Sequence, residues 1–158
     1  MSVFARAVVA LAMLLPAGCG ISIPADPDGT LDRVERSGVV RAGAAPNPTW
    51  VEVPGSGRPT GHEVTLVEDF AESLGARVEW TVGTEEHLVT LFEDGELDLA
   101  VGGFTDTNLW VDKVALTRPY AEVTDAGTTE KHVMMLPMGE NAWLSELERW
   151  LDDHGSAP

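Results

Sequence analysis

The spacing of hydrophobic positions along the chain predicts alternating helices and strands. Residues 64–74 are predicted to form an amphipathic helix, because apolar side chains recur three and four residues apart and Gly75 follows as a C-terminal stop. The same spacing predicts helices over residues 31–37, 85–93 and 141–153. The apolar face of the helix over residues 64–74 is formed by Val64, Val67, Phe70, Ala71 and Leu74.

Strand patterns fall between these helices. Residues 77–82 alternate apolar and polar side chains, residues 39–42 form a short strand, and residues 97–101 are a continuous apolar run typical of a buried strand. The resulting β-α-β-α-β order predicts an α/β fold with a mostly parallel sheet and helices on both faces. Residues 132–136 are a last apolar strand, and residues 121–131 are polar and unpatterned.

The stretch from Asp98 to Thr107 is the predicted ligand junction. A buried strand runs into a Gly-Gly turn, and hydroxyl and amide side chains then open a predicted short helix over residues 108–114. Ligands of open α/β sheets lie outside the carboxyl ends of the strands, so this junction is the candidate site. Asp106 or Thr107 is expected to cap the short helix. Trp50, in a Gly- and Pro-rich loop, is expected either to form a ligand wall or to pack that loop down.

The N-terminus predicts export and anchoring. Residues 1–18 read as a signal peptide with an apolar run too short to span a bilayer. Residues 15–19, Leu-Pro-Ala-Gly-Cys, resemble a bacterial lipobox, although Pro16 stands where an aliphatic residue is usual. We expect lipidation at Cys19, a flexible tether over residues 19–30 and a folded lobe over residues 31–154. The alternative is an ordinary signal peptide with an incidental cysteine.

Charge and side-chain chemistry narrow the function. The formal net charge of −16 makes nucleic acid an unfavourable partner. None of the four histidines has metal-ligand spacing, and no Ser-His-acid or Gly-x-Ser-x-Gly pattern occurs. We therefore expect neither an enzyme nor a metal or cofactor site.

Several motifs in order resemble one family. The chain resembles the first lobe of bacterial extracellular solute-binding proteins of family 3, the amino-acid-type receptors of ABC importers. The matching motifs are residues 39–43, Gly61, 70–75, 91–98, 103–107 and 117–120. Residues 132–151 resemble the strand and helix that return to that lobe. The resemblance implies a periplasmic-binding-protein-like lobe. Only residues 121–131 stand where the family inserts its second lobe, and Trp110 stands where the family has an arginine that clamps the ligand carboxylate.

Three functional hypotheses follow. The first is a lipid-anchored solute receptor at the extracytoplasmic face of the cell membrane, with a half-site for a small polar solute and an ABC permease or another membrane protein as partner. An amine, quaternary ammonium or amino-acid-like ligand would suit tryptophans in acidic surroundings. The second is an interaction module that docks a membrane partner or a second copy through the open site. The third is a non-binding remnant. The candidate ligand-binding residues are Trp50, Gly103, Phe104, Thr105, Thr107 and Trp110.

Overall fold

A computed structural model describes residues 26–55 and 57–158. The predicted signal peptide, Cys19 and most of the tether lie outside these residues. The elements, in chain order, are α1 (Thr30–Ser37), β1 (Val39–Ala44), α2 (His62–Ser73), β2 (Arg77–Val82), α3 (Glu85–Glu93), β3 (Leu99–Val101), β4 (Ala115–Leu116), β5 (Ala121–Asp125), β6 (Thr128–His132), β7 (Met135–Leu136) and α4 (Asn141–His154).

The main sheet has five strands in the order β2-β1-β3-β7-β4. The pairings of β1 with β2 and with β3 are parallel, as the β-α-β-α-β pattern predicts. The returning strand β7 pairs antiparallel with both β3 and β4, so the sheet is mixed rather than mostly parallel. The predicted α/β single-lobe fold is confirmed, with this one refinement of strand direction.

Helices cover both faces of the sheet. On one face α1, α2 and α4 share a core with alternate residues of β1 and β3, centred on Phe70 and Trp143, whose rings are 5.3 Å apart. On the other face α3 packs through Leu88 and Phe92 onto Ala100 and Met135. The alternation of side chains along each strand explains why one strand feeds two cores.

The N-terminal boundary of the folded part differs from the prediction. Residues 26–30 were expected to belong to a flexible tether, but they are held against the start of α4. The buried carboxylate of Glu140 accepts hydrogen bonds from the backbone N–H groups of Asp28 (2.8 Å) and Thr30 (2.9 Å). Asp26 accepts a hydrogen bond from the N–H of Trp143. These contacts explain why residues 26–30 are held in place, because the N–H groups at the start of a helix need acceptors.

Two further local predictions are wrong. No helix forms over residues 108–114, where residues 109–113 are successive turns, so neither Asp106 nor Thr107 is a helix cap. Residues 121–131, expected to be unpatterned, form with His132 the two-stranded hairpin β5-β6, in register from Ala121 opposite His132 to Asp125 opposite Thr128. The chain therefore turns straight back at the point where the resemblance places a second lobe.

Among the residues that the structure describes, no helix is both long enough and apolar enough to cross a bilayer.

Candidate functional site: a cleft at the carboxyl edge of the sheet

A cleft of about 550 Å³ lies where β1, β2 and β3 end. Its wall comes from three segments: residues 45–47 after β1, residues 84–85 at the start of α3, and residues 102–105 with Asn108 after β3. Because these strands are parallel, their carboxyl ends share one edge of the sheet. The cleft is therefore at the position that open α/β sheets use for ligands.

The Gly102–Gly103 turn shapes the floor of this cleft. Gly103 has a φ of 64°, in the left-handed region, and its N–H donates to the carboxylate of Glu63 over 2.8 Å. A Cβ at this position would meet the amide of Asn47 and would lie 2.7 Å from the Trp50 ring. Glycine is required here both by the backbone conformation and by the lack of space.

Glu63 ties the turn to the rest of the lobe. Its carboxylate has no exposed surface, and it accepts hydrogen bonds from the Gly103 N–H and from the Tyr120 hydroxyl. Burial raises the pKa of the Glu63 carboxyl, and the hydrogen bonds from Tyr120 and Gly103 oppose that shift. One side chain thus connects the first turn of α2, the cleft floor and the segment that leads into β5.

Trp50 lies beneath the cleft rather than in its wall. Its side chain is 4% exposed, with the ring centroid 3.9 Å from that of His132 and 6.2 Å from that of Tyr120. Of the two roles expected for Trp50, the structure shows the packing role. The expectation that Trp50 forms an exposed ligand wall is wrong, because its ring packs against the rings of His132 and Tyr120 instead of facing solvent.

Trp110 is likewise not among the residues that line the cleft. Its ring is partly buried against the core on the α3 side, and the ammonium of Lys113 lies 5.9 Å from the ring centroid. The two tryptophans therefore do not form a shared aromatic cage. The neighbours of Trp110 in the turn are more exposed, with Leu109 at 90% and Val111 at 54%.

The remaining predicted residues divide by position. Gly103, Phe104 and Thr105 line the cleft, and Thr107 adjoins it because its hydroxyl lies 3.1 Å from that of Thr105. Asp98, which opens the same stretch, is at the opposite end of β3 and pairs with Arg41 at 2.6 Å.

Four polar residues of the lining were not among the predicted site residues: Asn47, Thr84, Glu85 and Asn108. Asn47 resembled an ordinary loop residue, Asn108 was placed at the start of the predicted short helix, and Glu85 resembled an acidic residue that favours a helix start. The available signal was positional, since each follows the carboxyl end of a strand by a few residues. No group of three or more metal-ligating side chains occurs within residues 26–55 and 57–158.

Residues 40–156 match the bacterial extracellular solute-binding proteins, family 3. The chain belongs to this family. Among curated relatives, the membrane-bound lytic murein transglycosylase F of Maricaulis maris is 32% identical over 126 residues, covering 77% of this chain and 27% of the relative. The protein of the same name from Vibrio cholerae serotype O1 is 30% identical over 98 residues, covering 61% and 18%. This family 3 chain thus spans less than a third of the length of either relative.

Solved structures support the single-lobe architecture of this family 3 chain. The arginine-bound form of domain 1 from TmArgBP superposes with a TM-score of 0.69 at 22% identity, covering 77% of this chain and 98% of that one. An ancestral cationic amino acid solute-binding protein superposes with a TM-score of 0.70 at 15% identity, covering 78% and 93%. At these identities the likeness establishes the fold.

Proposed function

We propose that this family 3 lobe binds a small polar solute in the cleft at the carboxyl edge of β1 and β3. The cavity of about 550 Å³ carries the proposal, because it has the size of a small-molecule site and a wall, half of whose residues are polar, built from three strand ends. The arginine-bound single domain of TmArgBP supports the idea that one such lobe can hold a solute.

The one-lobed architecture sets the expected affinity. A well-enclosed pocket covers about 70–90% of a small ligand's surface. A cleft with a single wall leaves much of that surface in water, so fewer contacts offset the entropy lost on binding. We therefore expect micromolar or weaker dissociation constants, on the order of 1 μM to 1 mM.

Filling the cleft tests this function. Thr105→Trp places an indole at a lining position, whereas Thr90→Trp places one at an exposed position on α3 outside the lining. Isothermal titration of the soluble form that starts after Cys19, with amino acids, polyamines and betaines, should show binding to the wild type and to Thr90→Trp but not to Thr105→Trp. Equal binding to both variants would place the solute elsewhere, and no heat with any solute would refute the function.

We place the protein at the extracytoplasmic face of the cell membrane, held by lipid on Cys19. The support is the lipobox-like sequence at residues 15–19, which follows an apolar run with one charge before it. Cys19→Ala should move the protein from the membrane fraction to the soluble extracytoplasmic fraction while leaving solute binding unchanged. Retention of the variant at the membrane would show that lipid on Cys19 is not the anchor. An ABC permease or another membrane protein is the partner that this location suits.

Binding without catalysis is part of the proposal. The cleft lining contains one carboxylate, Glu85, and neither histidine nor cysteine. Acid–base and nucleophilic mechanisms use paired groups of those kinds. Since the relatives are named lytic transglycosylases, incubation with peptidoglycan fragments is the most direct check, and we expect no cleavage products.

Docking of a protein partner is the second candidate. Leu109 and Val111 are strongly exposed apolar side chains in one turn, next to the cleft residue Asn108. If this turn is a contact surface, Leu109→Ser with Val111→Ser should abolish crosslinks to a membrane partner without changing solute affinity. Unchanged crosslinks would exclude this turn as the contact.

A further inference from the structure

The charge of the cleft lining points to the class of solute. Glu85 supplies the only charged side chain among the residues that form the wall, and no lysine or arginine lines it. Lys113, in the turn that follows Asn108, has its ammonium 3.1 Å from the carboxylate of Glu93 and lies over the Trp110 ring. The wall therefore offers a negative charge to a solute and no basic side chain to pair with a carboxylate.

The hydrogen-bonding capacity of the wall has the same bias. The amide of Asn47 donates to the carbonyl of Gly102 over 3.1 Å, and the amide of Asn108 donates to the Glu85 carboxylate. The N–H of Gly103 is used by Glu63. The Gly103 N–H and one of the two N–H groups of each asparagine amide are therefore engaged inside the protein. An ionised carboxylate can accept about four hydrogen bonds, so Glu85 keeps free acceptor capacity after its bond from Asn108.

The rest of the molecule reinforces this preference. The chain carries a formal net charge of −16, which raises the local concentration of cations around an open cleft and disfavours anions. The contribution is long-ranged and weakens with salt, whereas the contact with Glu85 is short-ranged and is screened less.

We infer that the solute is an organic cation that donates N–H hydrogen bonds, such as an alkylammonium or guanidinium compound, and that it needs no carboxylate. Glu85 is the anchor, and the hydroxyl of Thr105 and the ring of Phe104 complete the wall around it. This inference rests on the proposed solute-binding function and names the solute class of the same cleft.

Pairs of solutes that differ by one carboxylate test the inference. Cadaverine is lysine without its carboxylate, and agmatine is arginine without its carboxylate. In titrations with the wild-type soluble form, each amine should bind at least as tightly as its parent amino acid. Choline and tetramethylammonium are cations without N–H donors, and we expect them to bind at least about tenfold more weakly than cadaverine, because charge-assisted hydrogen bonds are lost.

The outcomes separate this inference from the function on which it rests. Amino acids that bind about tenfold more tightly than their decarboxylated partners would overturn the inference and leave solute binding intact. Quaternary cations that bind as well as primary amines would overturn the role of N–H donation. If no solute binds, both the inference and the proposed function fail.

Neighbouring glutamates on α3 provide a matched pair of variants. Glu85→Gln removes the charge but keeps an acceptor for the Asn108 amide, so the wall keeps its shape. Glu86→Gln makes the same change at the next residue, which is exposed and outside the lining. Cadaverine affinity should fall at least about tenfold in Glu85→Gln and change less than about twofold in Glu86→Gln. Equal losses in the two variants would refute Glu85 as the anchor, and thermal unfolding of each variant checks that it is folded.

Discussion

Gly103 shows how closely single residues shape the cleft. Its positive φ turns the chain after β3, and the missing Cβ lets the Trp50 ring and the Asn47 amide pack directly against the backbone. Gly95 has a similar φ of 70°, but apart from Gly95 itself and its two chain neighbours no atom lies within 4 Å of the position of its Cβ. The two glycines therefore separate the cost of backbone conformation from the cost of crowding.

Alanine at these positions should destabilise the protein unequally. Gly95→Ala should destabilise the protein by about 1–2 kcal/mol, because alanine disfavours the left-handed conformation. Gly103→Ala should lose that amount and about 1–3 kcal/mol more, because its Cβ overpacks the turn. Urea denaturation measures both, and Gly103→Ala should also weaken solute binding because the floor must move. Equal destabilisation by the two changes would show that the contacts with Trp50 and Asn47 do not constrain the turn.

The raised pKa of Glu63 predicts that the stability of the protein depends on pH. Its pKa is raised from the ordinary 4.5 in the folded state, so between 4.5 and the raised value the folded protein binds more protons than the unfolded chain. This carboxyl therefore lowers stability as pH rises through that window and has no further effect above it. Glu63→Gln removes the effect. The free energy of unfolding of the wild type minus that of the variant should thus be larger near pH 4 than near pH 8.

Chemical denaturation at several pH values measures this difference. Glu72→Gln, at an exposed position on the same helix, controls for the loss of one charge. A difference between wild type and Glu63→Gln that does not change with pH would contradict the assignment of a raised pKa to Glu63.

At the scale of elements, the turn of the hairpin β5-β6 links backbone conformation to the choice of residue. Its turn places Ala126 at a φ of 47° and Gly127 at a φ of 87°. Positive φ at both central residues is the arrangement that matches the twist of two-residue hairpins, for which Asn-Gly is the preferred sequence. Ala126 is the only non-glycine residue with positive φ in the described part of the chain.

Ala126→Asn should therefore stabilise the protein by about 0.5–1 kcal/mol, because asparagine tolerates the left-handed conformation better than alanine. Ala126→Ser is the control, since serine adds a polar group without that tolerance, and its effect should stay within about 0.5 kcal/mol. Thermal unfolding monitored by circular dichroism gives both values. No gain from asparagine would mean that the hairpin turn contributes little to global stability.

The two wrong local predictions, a hairpin that was missed and a short helix that does not form, have physical explanations. In the hairpin, residues 128–131 are exposed, so the alternation of apolar and polar residues that identifies a half-buried strand is absent. In residues 108–114, the side chain of Asn108 accepts a hydrogen bond from the Trp110 N–H over 2.8 Å and competes with helical hydrogen bonding. So short a segment could not offset the cost of helix nucleation.

At the scale of the whole molecule, the order of helices and strands predicted the lobe correctly. The buried run that contains β3 and the amphipathic helix at α2 have strong periodic patterns, and parallel pairing follows from their order. The position of the cleft followed as well, because parallel strands share their carboxyl edge. The composition of its wall did not follow, because whether Trp50 faces solvent or the rings of His132 and Tyr120 depends on contacts distant in sequence.

Because the chain turns back through β5-β6, the cleft has one wall, and this affects how fast a bound solute is released. A solute in a one-walled cleft leaves by breaking its own contacts, with no closed lobe that must first open. The dissociation rate constant is then the product of the dissociation constant and the association rate constant. At a typical association rate constant of about 10⁵–10⁷ M⁻¹s⁻¹, a solute with a dissociation constant near 100 μM stays bound for about 1–100 ms. Such a lobe would exchange its solute continuously with the surrounding fluid and track changes in its concentration within a fraction of a second.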